Sequence, residues 1–159
     1  MIAVLYFTSQ TASAVDGIPC DTGEHVRTGD HHYHAHLQII WHGTDVNVPA
    51  NTGIPPTGNC LYWLHTHDTT GVIHIEAPAD KDHGFTLGQF FAVWHQPLNS
   101  KQVAGVPIAG GDQLVVYVNG QRYEGDPNKI KLTAHELIVL EITPPLIDPP
   151  PTYSFAQGL

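Results

Sequence analysis

The strongest pattern in the chain is an alternation at residues 33–41. Tyr33, Ala35, Leu37, Ile39 and Trp41 are apolar, while His32, His34, His36 and Gln38 fill the positions between them. Side chains two apart along a strand share a face. The segment therefore predicts a half-buried strand with one core face and one histidine face. Residues 42–45, His-Gly-Thr-Asp, predict a turn that returns along residues 46–48. Residues 49–59, with Pro49, Gly53, Pro55, Pro56 and Gly58, predict a loop.

A second hairpin is predicted by a strand at residues 61–67, a turn at Asp68-Thr69-Thr70-Gly71 and a return at 72–76. Residues 85–94 predict the one helix. Thr86 and Gln89 form a capping box, Leu87, Phe90, Phe91 and Trp94 make a single apolar stripe, and Pro97 ends the element. Residues 98–112 read as a Gly/Pro loop. Leu114 and its neighbours, Asn119-Gly120 and residues 121–123 predict a hairpin, because Asn-Gly favours the tight turn a hairpin needs. Residues 132–142 read as a last strand. Pro144, Pro145, Pro149, Pro150 and Pro151 make the tail extended and bar it from a central strand.

The order of these elements predicts a mainly β (α+β) domain. It has an antiparallel sheet or sandwich of roughly six to eight strands and one crossing helix, in β-grasp-like order. The 159 residues suit one domain. We divide the chain into an apolar N-terminal segment at 1–14, a His-rich β domain at 15–143 and a Pro-rich tail at 144–159. Residues 2–7 are apolar, and Ala12-Ser13-Ala14 resembles a signal-peptidase site, although no cation precedes the run. Residues 1–14 are expected to be either a leader remnant or a strand donated to a second copy, which is a route to self-association and filaments.

The second hairpin turns the histidines from a count into a geometry. With residues 68–71 as the turn, residue 65 pairs with 74 and residue 63 with 76. His65, His67 and His74 then share a face with Glu76, opposite Leu64, Ile73 and Ile75. His34 and His36 project likewise from the first strand. Neutral imidazoles gathered this densely suit a transition-metal ion. The predicted ligands are His34, His36, His65, His67 and His74, and the choice between His65 and His67 depends on register. Asp68 and Glu76 are candidates for a further ligand, an orienting group or a general base. His25, His31, His42, His83 and His95 read as isolated polar residues, and His135 as either isolated or functional beside Glu136. His32 reads as an adventitious, tag-like ligand with His31. Phe90, Phe91 and Trp94 read as core.

Composition narrows the field. Twelve histidines outnumber the six Lys and Arg together, and the formal charge is −9. So few cations argue against nucleic acid and anionic membrane as partners. No apolar run approaches the ~20 residues of a transmembrane helix. Met1 is the only methionine, which argues against a thioether copper(I) site. Imidazole accepts either copper or zinc, so one ion of either metal is the expected cofactor. Cys20 and Cys60, outside any CxxC spacing, read as a disulfide worth about 4 kcal/mol and point to an oxidising, extracytoplasmic compartment.

The strings HYHAHLQI (32–39), CLYWLHTHDTTGVIHIEAP (60–78), FTLGQFFAVW (85–94), VYVNGQRYEGDP (116–127) and LTAHELIVLEI (132–142) resemble an uncharacterised family of small secreted or membrane-anchored prokaryotic His-rich proteins. The likeness covers about residues 15–159, with residues 1–14 outside it. It implies extracytoplasmic placement and carries no activity or ligand with it. Three functions fit the residues: a metal-binding domain, a subunit of an extracellular filament, and a metal-dependent hydrolase or hydratase using Asp68 or Glu76 as base. The chain offers no nucleophile–base pair apart from a metal, so binding ranks above catalysis.

Overall fold

The computed structural model describes residues 13–21 and 30–159. The expectation of a leader or donated strand at 1–14 falls almost entirely outside these residues, as does His25. The strands in chain order are β1 (Cys20–Asp21), β2 (His31–Trp41), β3 (Thr44–Val46), β4 (Leu61–Tyr62), β5 (Leu64–His65) and β6 (Val72–Ala77). Helix α1 (Leu87–Val93) follows, then β7 (Leu98–Asn99), β8 (Gln102–Val103), β9 (Val106–Pro107), β10 (Gln113–Val118), β11 (Gln121–Arg122) and β12 (Leu137–Thr143). The domain is mainly β with one α-helix among the described residues.

The main sheet runs β11-β10-β12-β2-β6-β5, with β3 also paired to β2. Its two innermost strands, β12 and β2, are parallel, in the register Leu140↔Ile39, and the pairs flanking them are antiparallel. Two antiparallel pairs with parallel inner strands and a helix between them is a β-grasp-like order. The sheet is otherwise antiparallel, as expected, and the parallel centre makes it mixed. A parallel join needs a long crossover, and here everything between Trp41 and Leu137 supplies it, so no local pattern announces it.

Local chemistry sets the elements. Thr86 caps α1, accepting from Gln89 N while the Gln89 side chain accepts from Thr86 N. The helix ends before Pro97: His95 N donates to the Ala92 carbonyl and Gln96 N to that of Phe91, with His95 at φ 57°. Asn119 (φ 51°) and Gly120 (φ 76°) join Val118 to Gln121 in a turn of the predicted kind. The first hairpin turns more tightly than expected, on His42 and Gly43 alone, with Trp41 facing Thr44. Residues 98–107 are not a loop but a small three-stranded sheet, β7-β8-β9. The last strand begins at Leu137 rather than 132. Thr133 Oγ1 and Asn119 Nδ2 both donate to the Glu136 carboxylate, and His135 takes φ 60°, which keeps residues 133–136 as a turn.

One face of the main sheet carries Leu37, Ile39, Leu64, Ile73, Ile75, Ile138 and Leu140 against Leu87, Phe90 and Phe91 of α1. Trp94 packs at the edge of the same core. The opposite face is divided. At one end Ile40, Val115, Tyr117 and Val139 pack under Ile147 of the tail, whose amide donates to buried Glu141. At the other end, on β2, β6 and β5, the face is histidine. The Cys20–Cys60 disulfide ties β1 to β4, where Cys20 faces Tyr62, and so anchors the chain just before the histidine-bearing β5.

Gly71 joins the 68–71 turn to β6 at φ +85°, and its carbonyl accepts from Leu37 N at 2.9 Å. A Cβ there would run into the Leu37 carbonyl oxygen and crowd the His36 ring. Gly71→Ala is therefore expected to lower unfolding free energy by about 2 kcal/mol or more, read from the urea midpoint. An unchanged midpoint would contradict this account of the β2–β6 junction.

Candidate metal centre

The register of three strands builds the site. β2 and β6 set His34 opposite His74 and His32 opposite Glu76, and β5 sets His65 opposite His74. One row of the sheet therefore reads His34, His74, His65 across neighbouring strands. His67, two residues beyond His65, turns onto the same face. Behind these side chains Ala35, Leu64, Ile73 and Ile75 are buried in the core, which holds the row in place.

The nitrogen atoms converge. His34 Nε2 lies 3.0 Å from His74 Nδ1, and His65 Nε2 lies 3.3 Å from His67 Nε2. Glu76 Oε1 is 3.1 Å from His32 Nε2 and 3.7 Å from both His65 Nε2 and His74 Nδ1. Two groups have donor atoms close enough together to hold an ion: His65, His67, His74 and Glu76, and His32, His34 and His74. His34, His65 and Glu76 are buried, His74 is half-buried, and His32 and His67 are exposed.

Hydrogen bonds fix which nitrogen faces inward. His65 Nδ1 donates to the Tyr62 carbonyl at 2.9 Å. A carbonyl only accepts, so the proton of neutral His65 resides on Nδ1 and its Nε2 lone pair points at His67 and Glu76. Metal-ligating histidines characteristically give their outer N–H to such a carbonyl.

The electrostatics favour uncharged rings. Burial, and then the nearby His74 and His32, push His34 down to about 4. Burial also lowers His65 and His67. Burial works against ionisation of Glu76, yet the His74 hydrogen bond and the neighbouring imidazoles hold its carboxyl below the usual range. The result is neutral imidazole lone pairs beside one carboxylate, a donor set suited to a borderline divalent ion.

Not every predicted residue joins the cluster. His36 shares the histidine face, but its Nε2 donates to the Thr70 carbonyl at 2.9 Å and its ring stacks on Tyr153 at 3.9 Å. It belongs to neither group. Asp68 is likewise in neither group. Its Oδ1 accepts from Thr70 N and Thr70 Oγ1, closing the turn, and these bonds lower its carboxyl. His32, read as adventitious, belongs to the group with His34 and His74, and the alternation that placed His34 also places it. His65 and His67 both reach the cluster. Elsewhere His31 pairs with Asp82, His42 donates to the Pro144 carbonyl, and His135 donates to that of Leu159.

No protein-family model, curated protein or solved structure matches the chain.

The lowered histidines set a pH dependence. The unfolded chain takes protons near the ordinary imidazole value of 6.5, and folded His34 refuses them until about 4. Stability is thus full above that upper value and is lost as pH falls through the window. Urea midpoints of the metal-free protein should drop steadily between about pH 6.5 and 4, and His34→Gln should flatten the slope. A flat wild-type profile would contradict the neutral-imidazole assignment.

Proposed function

We propose that this chain is an extracytoplasmic transition-metal-binding domain that takes copper or zinc on the β2–β6–β5 histidine face. The observation that carries this reading is the arrangement of His65. Its Nδ1–H is committed to a backbone carbonyl, and its Nε2 is turned to His67 at 3.3 Å and to Glu76 at 3.7 Å. Donors on a tetrahedral ion with bonds of 2.0–2.1 Å stand about 3.3–3.4 Å apart, so these side chains need only small rotations to share one.

The competing explanation of such a face is a proton-bridged hydrogen-bond network. In such a network each N–H···N bridge uses a neutral ring's own proton and turns one inward nitrogen of the pair into a donor. A cation is satisfied by both inward lone pairs at once, with each ring's proton on its outer nitrogen, as in His65. The disulfide supports an oxidising compartment. Among the described residues no helix is long and apolar enough to cross a membrane. The choice between copper and zinc rests on imidazole chemistry common to both.

The test is a competition titration of the full chain with Zn²⁺ and Cu²⁺ against a chromophoric chelator. Wild type is expected to bind. His74→Ala should weaken binding beyond the roughly 10–100-fold typical of changes outside the ligand shell. Asp68→Asn and His31→Ala should leave affinity unchanged. No retention by wild type, or equal retention by His74→Ala, would overturn the reading.

A further inference from the structure

The donor set is larger than one ion needs. Five imidazoles and one carboxylate line the face, and they fall into two groups that share His74. A tetrahedral site takes four donors. Within the first group, His34 Nε2 stands 3.0 Å from His74 Nδ1. In the second, His65 Nε2 stands 3.3 Å from His67 Nε2. Glu76 lies between them, with Oε1 3.1 Å from His32 on one side and 3.7 Å from His65 on the other.

An imidazole nitrogen has one in-plane lone pair, so His74 Nδ1 can serve a single ion. Its 3.0 Å approach to His34 places that nitrogen with His32 and His34. The second group then keeps His65 and His67 and needs a further donor, and the carboxylate supplies it. The same oxygen, Oε1, faces both sets, so the carboxylate stands where it can bridge two ions. Its burial between two sets of neutral imidazoles is otherwise costly, because Glu76 has no Lys or Arg partner among the ion pairs of the described residues.

We propose that the face holds two metal ions rather than one. His32, His34 and His74 take the first, His65 and His67 take the second, and the Glu76 carboxylate bridges them. This inference rests on the metal-binding reading and specifies its nuclearity. Carboxylate-bridged pairs stand about 3.5–4 Å apart. The protons between His34 and His74 and between His65 and His67 belong to neutral rings, and each moves to the outer nitrogen of its own ring as the ions bind, so every ligand stays a neutral imidazole. His32 and His67 are exposed, so each ion keeps one solvent-facing side.

The experiment is calorimetric titration of the metal-free full chain with Zn²⁺ in the presence of a weak competing chelator, paired with paramagnetic resonance of Cu²⁺-loaded protein. Wild type should take two equivalents. The second equivalent of Cu²⁺ should reduce the signal per copper, because bridged spins couple. His32→Ala and His67→Ala remove exposed side chains, and each should lose one equivalent while retaining a fold unchanged by circular dichroism. Glu76→Gln should remove the coupling. One equivalent in wild type, or two with undiminished signal, would overturn the bridged pair and leave the metal-binding reading standing. No uptake at all would overturn both.

Discussion

The antiparallel register that sets His34 against His74, and His74 against His65, governs both sides of the sheet at once. It is enforced from the apolar side. Leu64, Ile73 and Ile75 are fully buried, each worth roughly 1.5–3 kcal/mol relative to exposure. A one-residue slip would turn these side chains toward the polar face and drive imidazoles into the core beneath α1. The core thus fixes the histidines, and they meet without relying on attraction for one another. The disulfide at Cys60 anchors the entry to this hairpin, and Gly71, between His67 and His74, lets its turn pack against the Leu37 carbonyl.

The histidine face itself is held at a cost. Buried imidazoles give up hydration, and each ring nitrogen without a partner loses further stability. Backbone carbonyls answer part of that demand, from Tyr62 for His65 and from Thr70 for His36. The remaining inward lone pairs face one another across distances set by the strand spacing. Such an arrangement suits a cation: the outer bond of His65 sets its tautomer, and the paired strands hold His34, His74 and His65 in one row. The division of the sheet's second face follows the same logic, since the apolar half is closed by the tail and the histidine half is left accessible at His32 and His67.

Much of this was legible in the sequence where the signal is local. The alternation over 33–41, the 65–74 pairing, the Thr86–Gln89 capping box, the Asn119-Gly120 turn and the cysteine pair all depend on neighbours or on a single turn. Four features were not legible, two because they join distant parts of the chain and two because a local signal had a second reading. The parallel contact of β12 with β2 joins residues about a hundred positions apart. His36 stands apart from the two donor groups, with Tyr153, from the tail, stacked on its ring. Asp68 was claimed by its own turn, a use of aspartate that competes with metal ligation at any loop. The 98–112 stretch hid three short strands because Gly and Pro punctuate strands of two residues as readily as loops. The membership of His32, by contrast, was contained in the alternation and was missed only because its neighbour His31 suggested a surface pair.

The most direct test of the central claim is a crystal structure of the Zn²⁺-loaded chain, with anomalous data collected above and below the zinc edge. The account predicts edge-dependent density about 2.0–2.1 Å from His65 Nε2, with His67 or His74 in the same coordination shell. Density confined to exposed histidines such as His31, His83 or His95, with His65 keeping its present neighbours, would contradict it.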